Sequence, residues 1–207
     1  TYFIAVDGVR GGARPNFRLE VKTSALSAPP VNDTCEAAEE LAFNPSGVTV
    51  VGVNLDQATD EVTTCAGQNG PDAIYRLNFL ERAHVRLQAT AADNAFAVGA
   101  SLSSQCVVGN ALQCGYGFEG IVEPGVYYLA IDGSDPNSRG RVTVQMVVDS
   151  IGDAPANETC DVAEVLDGAQ GQVSGSTVSA ADDYTLVDAN LCTGHNSVGG
   201  DVVYSFE

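Results

Sequence analysis

The sequence predicts an all-β chain of tandem, disulfide-bonded antiparallel β-sandwich modules, jelly-roll-like and about 125 residues long. Three observations predict it. An internal repeat spans the chain, short apolar runs alternate with period two, and cysteines recur at matching places in successive copies.

The repeat comes first. Residues 1–41 align without a gap on residues 126–166. Tyr2-Phe3-Ile4-Ala5-Val6-Asp7-Gly8 matches Tyr127-Tyr128-Leu129-Ala130-Ile131-Asp132-Gly133, and Pro30-Val31-Asn32-Asp33-Thr34-Cys35 matches Pro155-Ala156-Asn157-Glu158-Thr159-Cys160. Further on, Cys65-Ala66-Gly67-Gln68-Asn69 corresponds to Cys192-Thr193-Gly194-His195-Asn196, and Asp72-Ala73-Ile74-Tyr75 to Asp201-Val202-Val203-Tyr204. The offset drifts from 125 to 129, as a few extra loop residues in the later copy would produce. Ser27-Ala28-Pro29-Pro30 and Gly152-Asp153-Ala154-Pro155 have linker composition. The expected organisation is therefore two strands ending a preceding module (1–26), a linker (27–30), a complete module (31–149), a linker (150–155) and the first part of a following module (156–207). A partial module cannot bury its apolar face alone, so each outer segment is expected to be completed by neighbouring chain or by a neighbouring subunit.

The elements follow from the alternation. Ala73, Tyr75, Leu77 and Phe79 fall on one face of a strand, and Ala83, Val85, Leu87 and Ala89 on one face of the next, with His84, Arg86 and Gln88 opposite. Val142, Val144, Met146 and Val148 form a third face, and Val202, Tyr204 and Phe206 repeat the Tyr75 pattern. Gly70-Pro71-Asp72, Glu123-Pro124-Gly125 and the run Asp132 to Asn137 are turns. The helical signal is Cys35 to Leu41, capped by Asp33 or Thr34, and it recurs at Cys160 to Leu166; one short turn is expected at each.

Six cysteines complete the frame. Four in one module allow three connectivities. Because Cys35 and Cys65 recur as Cys160 and Cys192, the repeat favours Cys35–Cys65, Cys160–Cys192 and Cys106–Cys114. Disulfides imply an oxidising compartment, hence a secreted or cell-surface protein.

Charge and inventory exclude several functions. With 27 acidic against 9 basic residues, the net charge of -18 would be repelled by nucleic acid and by anionic lipid. No run of 18 apolar residues marks a helical membrane span. The only histidines are His84, on the polar face of a strand, and His195, which the other copy replaces by Gln68. No nucleophile elbow, zinc-protease or phosphate-loop motif occurs, so no catalytic residue is expected. Calcium is the candidate cofactor, because Asp56, Asp60 and Glu61 cluster in one loop and Asp182, Asp183 and Asp188 in its counterpart, and hard oxygen ligands suit that ion. Asn32 and Asn157 head N-glycosylation sequons, and Thr34 or Thr159 could carry an O-linked sugar; the helix cap accounts for the same residues. Tyr2, Phe3, Tyr127 and Tyr128 alternate across strands, so one of each pair is available to stack on a polymer or to pack under a loop.

The complete module resembles the bacterial pre-peptidase C-terminal domain class, in the cysteine-bearing form that occurs as tandem repeats in large secreted proteins. Asn32-Asp33-Thr34-Cys35, then Cys65 and Asp72-Ala73-Ile74-Tyr75, and above all Pro124-Gly125-Val126-Tyr127-Tyr128-Leu129-Ala130-Ile131-Asp132-Gly133 carry the resemblance. It implies a jelly-roll-like sandwich with an accessory, non-catalytic role. The expected function is a structural repeat segment of a stalk, adhesin or extracellular filament, self-associating head to tail or by strand complementation. A polymer-binding accessory module of a secreted hydrolase is the alternative.

Overall fold

Strand formation follows the alternation in the sequence. The computed structural model describes residues 3–6, 16–21, 28–45, 47–65, 69–106, 111–166, 172–184 and 199–206. Within them lie β1 (Glu39–Glu40), β2 (Gly47–Asn54), β3 (Asp72–Phe79), β4 (Ala83–Ala91), β5 (Val98–Ser103), β6 (Ala111–Gly115), β7 (Gly117–Val122), β8 (Gly125–Gly133), β9 (Arg141–Ser150), β10 (Glu164–Val165) and β11 (Tyr204–Ser205). One sheet has the order β1-β3-β8-β5-β6 and a second the order β2-β9-β4-β7. β1 runs parallel to β3; the other pairs in these two sheets are antiparallel.

The inward faces of the two sheets share one core. Ala73, Tyr75, Leu77 and Phe79 of β3 meet Val85 and Leu87 of β4 and Val142, Val144, Met146 and Val148 of β9. Complete burial of a Leu or Ile here contributes about 1.5–3 kcal/mol, and Leu77, Leu129 and Ile131 are fully enclosed. Phe79 ties the rings together, with centroids 4.7 Å from Phe43 and 5.6 Å from Tyr127. The Tyr127 hydroxyl donates to Glu123 O at 3.0 Å, so its polar end is satisfied at the core's rim.

The helix is shorter than the Cys35 to Leu41 signal in the sequence. A 3₁₀ turn covers only Cys35–Ala37, with Thr34 Oγ1 accepting the Ala37 amide at 3.3 Å. Glu39 and Glu40 leave the turn and pair with Tyr75 and Arg76 instead. A sheet edge offers backbone partners that three residues of helix cannot match. β2, β5, β6 and β7 carry no expectation from the sequence.

Several contacts of residues 32–76 recur among the described residues of the later segment, 155–166, 172–184 and 199–206. Glu164 lies opposite Tyr204 in a parallel pair, as Glu39 lies opposite Tyr75. Asn157 Nδ2 donates to Val203 O at 3.1 Å, while the Val203 amide returns to Asn157 O at 2.7 Å. Asn32 and Ile74 exchange the same two bonds at 3.1 and 2.8 Å. Near the start of the chain, Phe3, Ile4, Val6, Phe17, Leu19 and Val21 stand exposed, Phe3 at 93%.

Two loops close against each other where β8 ends. The Gly133 amide donates to Pro71 O at 3.0 Å. A β-carbon on Gly70 would overlap the Gly133 carbonyl and lie 2.9 Å from Asp132 Oδ1. Backbone cannot move aside as a flexible side chain can, so Gly70→Ala is expected to lose about 3 kcal/mol of stability. Urea unfolding of the variant checks this, and an unchanged midpoint would refute the close approach.

Candidate functional site

The outer face of the five-stranded sheet carries the least ordinary chemistry. Asp72 and Asp132 point away from the main core and stand directly opposite each other on β3 and β8. Both are buried under the segment 55–65. That segment is pinned at one end by Leu55 and Ala58 in the main core, and at the other by Val62, which packs with Ile74 and Ala130 in a smaller cluster. Arg139 holds it down, donating through Nη1 to Asp56 O at 3.0 Å and Ala58 O at 3.1 Å.

Each aspartate is half satisfied. Asp72 Oδ2 accepts the amides of Glu61 at 3.0 Å and Val62 at 2.8 Å. Asp132 Oδ2 accepts the Thr64 hydroxyl at 2.6 Å. The remaining oxygen of each is buried without a hydrogen-bond partner. Burial therefore dominates and pushes Asp72 up to about 7, the two loop amides opposing it and the charges of Asp132 and Asp60 adding to it. Burial likewise pushes Asp132 up to about 6 against its Thr64 bonds. The pair faces loop backbone rather than an open cleft, an arrangement suited to holding protons and fixing a loop. The later segment repeats half of it: Asp201 Oδ2 accepts the amides of Asp183 and Tyr184 at 3.1 and 2.9 Å.

A second feature lies at the opposite end of β3. Arg82, in the turn to β4, is only 4% exposed. Its Nε lies 3.0 Å from Glu123 Oε1 and its Nη2 donates to Glu158 Oε1 at 2.6 Å. Glu158 lies after residues 150–155, so this arginine ties the β3–β4 turn to the later segment. Partial burial pushes the Glu158 carboxyl up, but the bonds from Arg82 and the Ala181 amide outweigh it and hold the group below its ordinary range.

The structure corrects the disulfides. Cys35 bonds Cys106 and Cys65 bonds Cys114, with Cα separations of 5.7 and 6.0 Å, in place of Cys35–Cys65 and Cys106–Cys114. Recurrence marks Cys35 and Cys65 as parts of one frame, not as partners. Each staples a segment on the outer face of the sheet to a residue of the β5–β6 arm. Cys160 is free and exposed, and Cys192 lies outside the described residues.

The calcium candidates are not gathered. Asp56, Asp60 and Glu61 turn their side chains to solvent, and Glu61 gives Asp72 its amide instead of its carboxylate. Asp182 and Asp183 are exposed, and Asp188 lies outside the described residues. Among the described residues no group of three or more acidic, histidine or cysteine side chains is placed to hold a metal ion. Asn32 is 3% exposed and spends its amide nitrogen on Ile74, so the folded chain offers no nitrogen there to a glycosyltransferase. The Asn157 nitrogen is engaged with Val203. Thr34 accepts its cap bond, whereas Thr159 makes none. His84 pairs with Glu119 at 3.1 Å on the solvent face of the second sheet, and His195 is outside the described residues. Tyr128 packs half-buried against the smaller cluster.

Asp72, Asp132, Arg82 and Arg139 escaped the sequence reading as site residues. Both aspartates stand beside turn residues, which hides them, yet Asp72 recurs as Asp201 and Asp132 as Asp7. That recurrence was the available signal. Arg82 had none, because its partners lie 41 and 76 residues away.

No helix among the described residues is long and apolar enough to cross a membrane. No family model matches the chain, and no curated protein matches it. Among solved structures, one that is similar is the pre-peptidase C-terminal domain of a collagenase from Bacillus anthracis, 17% identical, with a TM-score of 0.36, covering 54% of this chain and 93% of that one.

Proposed function

We propose that the chain is a non-catalytic structural segment of a repeat protein on the bacterial cell exterior, part of a stalk, adhesin or filament. The observation that carries this is the recurrence of one contact set. Asn32 with Ile74, Glu39 opposite Tyr75 and Asp72 under two loop amides return as Asn157 with Val203, Glu164 opposite Tyr204 and Asp201 under two loop amides. A fold that begins again after a short linker is the signature of a repeat array. Two disulfides fit an oxidising exterior. The outer segments supply the means of assembly. Residues 2–8 have the sequence pattern of β8, which pairs with β3, and β11 has the pattern of β3 with no β8 beside it among the described residues. Neighbouring repeats, in the same chain or in another subunit, complete them by strand addition.

Electron microscopy of the native material tests this reading. Regular fibres or rods with an axial period equal to one repeat, or a small multiple, are expected. Dispersed globular particles without a repeat period would sink it.

A further inference from the structure

We propose that the turn around Asp33 is a socket for the arginine-bearing β3–β4 turn of a preceding copy of the repeat, as the turn around Glu158 is for Arg82. The inference rests on the repeat reading and names the chemistry of its junction.

Asp33 and Glu158 occupy one position in two settings. Each follows an asparagine that exchanges two bonds with a strand, Asn32 with Ile74 and Asn157 with Val203. Each carboxylate accepts one loop amide, Thr59 at 2.6 Å and Ala181 at 2.7 Å. The carbonyls of those same two residues accept the amides of Asp72 and Asp201, at 2.9 and 2.8 Å. At Glu158 a single oxygen takes both the Ala181 amide and the Arg82 guanidinium. At Asp33 the two oxygens take one bond each, from the Thr59 amide and the Thr59 hydroxyl at 3.0 Å. A carboxylate oxygen accepts two, so Asp33 keeps the capacity that Glu158 has filled.

The approach to the two turns matches as well. The Ile151 amide donates to Arg82 O at 3.4 Å, which fixes where the linker leaves the unit. Leu26 stands as far before Asp33 as Ile151 stands before Glu158, with Pro30 and Pro155 at the same place in the intervening residues. A preceding copy therefore presents its turn at the same reach. The acidic chain makes a guanidinium the fitting partner, and a planar, permanently charged fork suits a shared carboxylate better than an ammonium does.

Carbodiimide cross-linking tests the socket. Lys22 is the only lysine, so an amine introduced by Arg82→Lys competes with little else. The reagent activates a carboxylate and takes up the water lost as the amine forms an amide with it. In the 207-residue chain, mass spectrometry should find residue 82 joined to Glu158. The decisive chain is the full chain lengthened by a second copy of 31–155, so that residue 82 of the first copy faces Asp33 of the second. Expected is a 82-to-33 amide that Asp33→Asn abolishes. A lengthened chain that folds, and gives the Glu158 amide but none to Asp33, overturns the socket alone. A lengthened chain that fails to gain a second cooperatively melting unit overturns the repeat reading and the socket with it.

Discussion

Removing the Cys35–Cys106 bond by the double substitution Cys35→Ser, Cys106→Ser is expected to lower the unfolding free energy by about 4 kcal/mol. The bond closes a loop spanning 71 residues, and Cys65–Cys114 one spanning 49. Loop-closure entropy grows only with the logarithm of loop length, so the second bond is expected to contribute about as much as the first. The two loops overlap, and the second removal should therefore not add fully to the first. For a domain of this size either loss is a large part of the total. Guanidinium unfolding of the oxidised chain and the two paired variants gives the numbers. A non-reducing peptide map should recover Cys35 with Cys106; a Cys35–Cys65 peptide would overturn the connectivity, and unchanged midpoints would overturn its energetic role.

Stability is expected to fall as pH rises from about 4 to about 7, the reverse of the usual behaviour of a carboxylate held by partners. Asp72 and Asp132 have folded values of about 7 and about 6 against an ordinary 3.8. Between those limits the folded chain binds more protons than the unfolded one, so each rise in pH favours unfolding. The two stand opposite each other and lose protons as a pair. Glu158, held low, acts in the other direction: its contribution is present above the ordinary glutamate range and is lost on acidification. Maximum stability therefore lies on the acidic side of neutrality. Asp72→Asn keeps an oxygen for the Glu61 and Val62 amides and removes the charge. It should flatten the slope and gain on the order of 3 kcal/mol relative to the parent at neutral pH. Urea midpoints at several pH values for the parent and the variant decide it. A parent whose stability climbs steadily towards neutral pH would refute the protonated pair.

The legible part of this fold is the part written in period two. Ala73 to Phe79 and Val142 to Val148 could be set on their faces from the chain alone, because the same alternation that makes a strand half-buried also marks it. β5 carries no such mark. β5 (Val98–Ser103) is covered on both sides, so its residues need not alternate. The disulfides were legible as frame and not as pairs, since which sulfur meets which depends on sheet order. β1, β3, β8, β5 and β6 bring Cys35 and Cys65 to the β5–β6 arm rather than to each other. The acidic loop illustrates a further loss. Asp56, Asp60 and Glu61 concentrate charge in the sequence, but the loop turns those groups outward and its amides inward, towards two aspartates that stand beside turns.

Crossed staples also decide how such a chain would lengthen under tension. Pulling on Val31 and Ser150 sends force through the shortest covalent route. That route crosses from Cys35 to Cys106 and continues along the short segment to Cys114, so most of the residues between Cys35 and Cys114 never bear the load. The full stretch between those cysteines, drawn straight, would yield roughly 270 Å, and the stapled one only about a tenth of that. A pulled array would thus give way in short steps with β4 sealed inside the shielded stretch, and its slack would come from β7 to β9. Reduction of the bonds would turn a stiff tether into an extensible one.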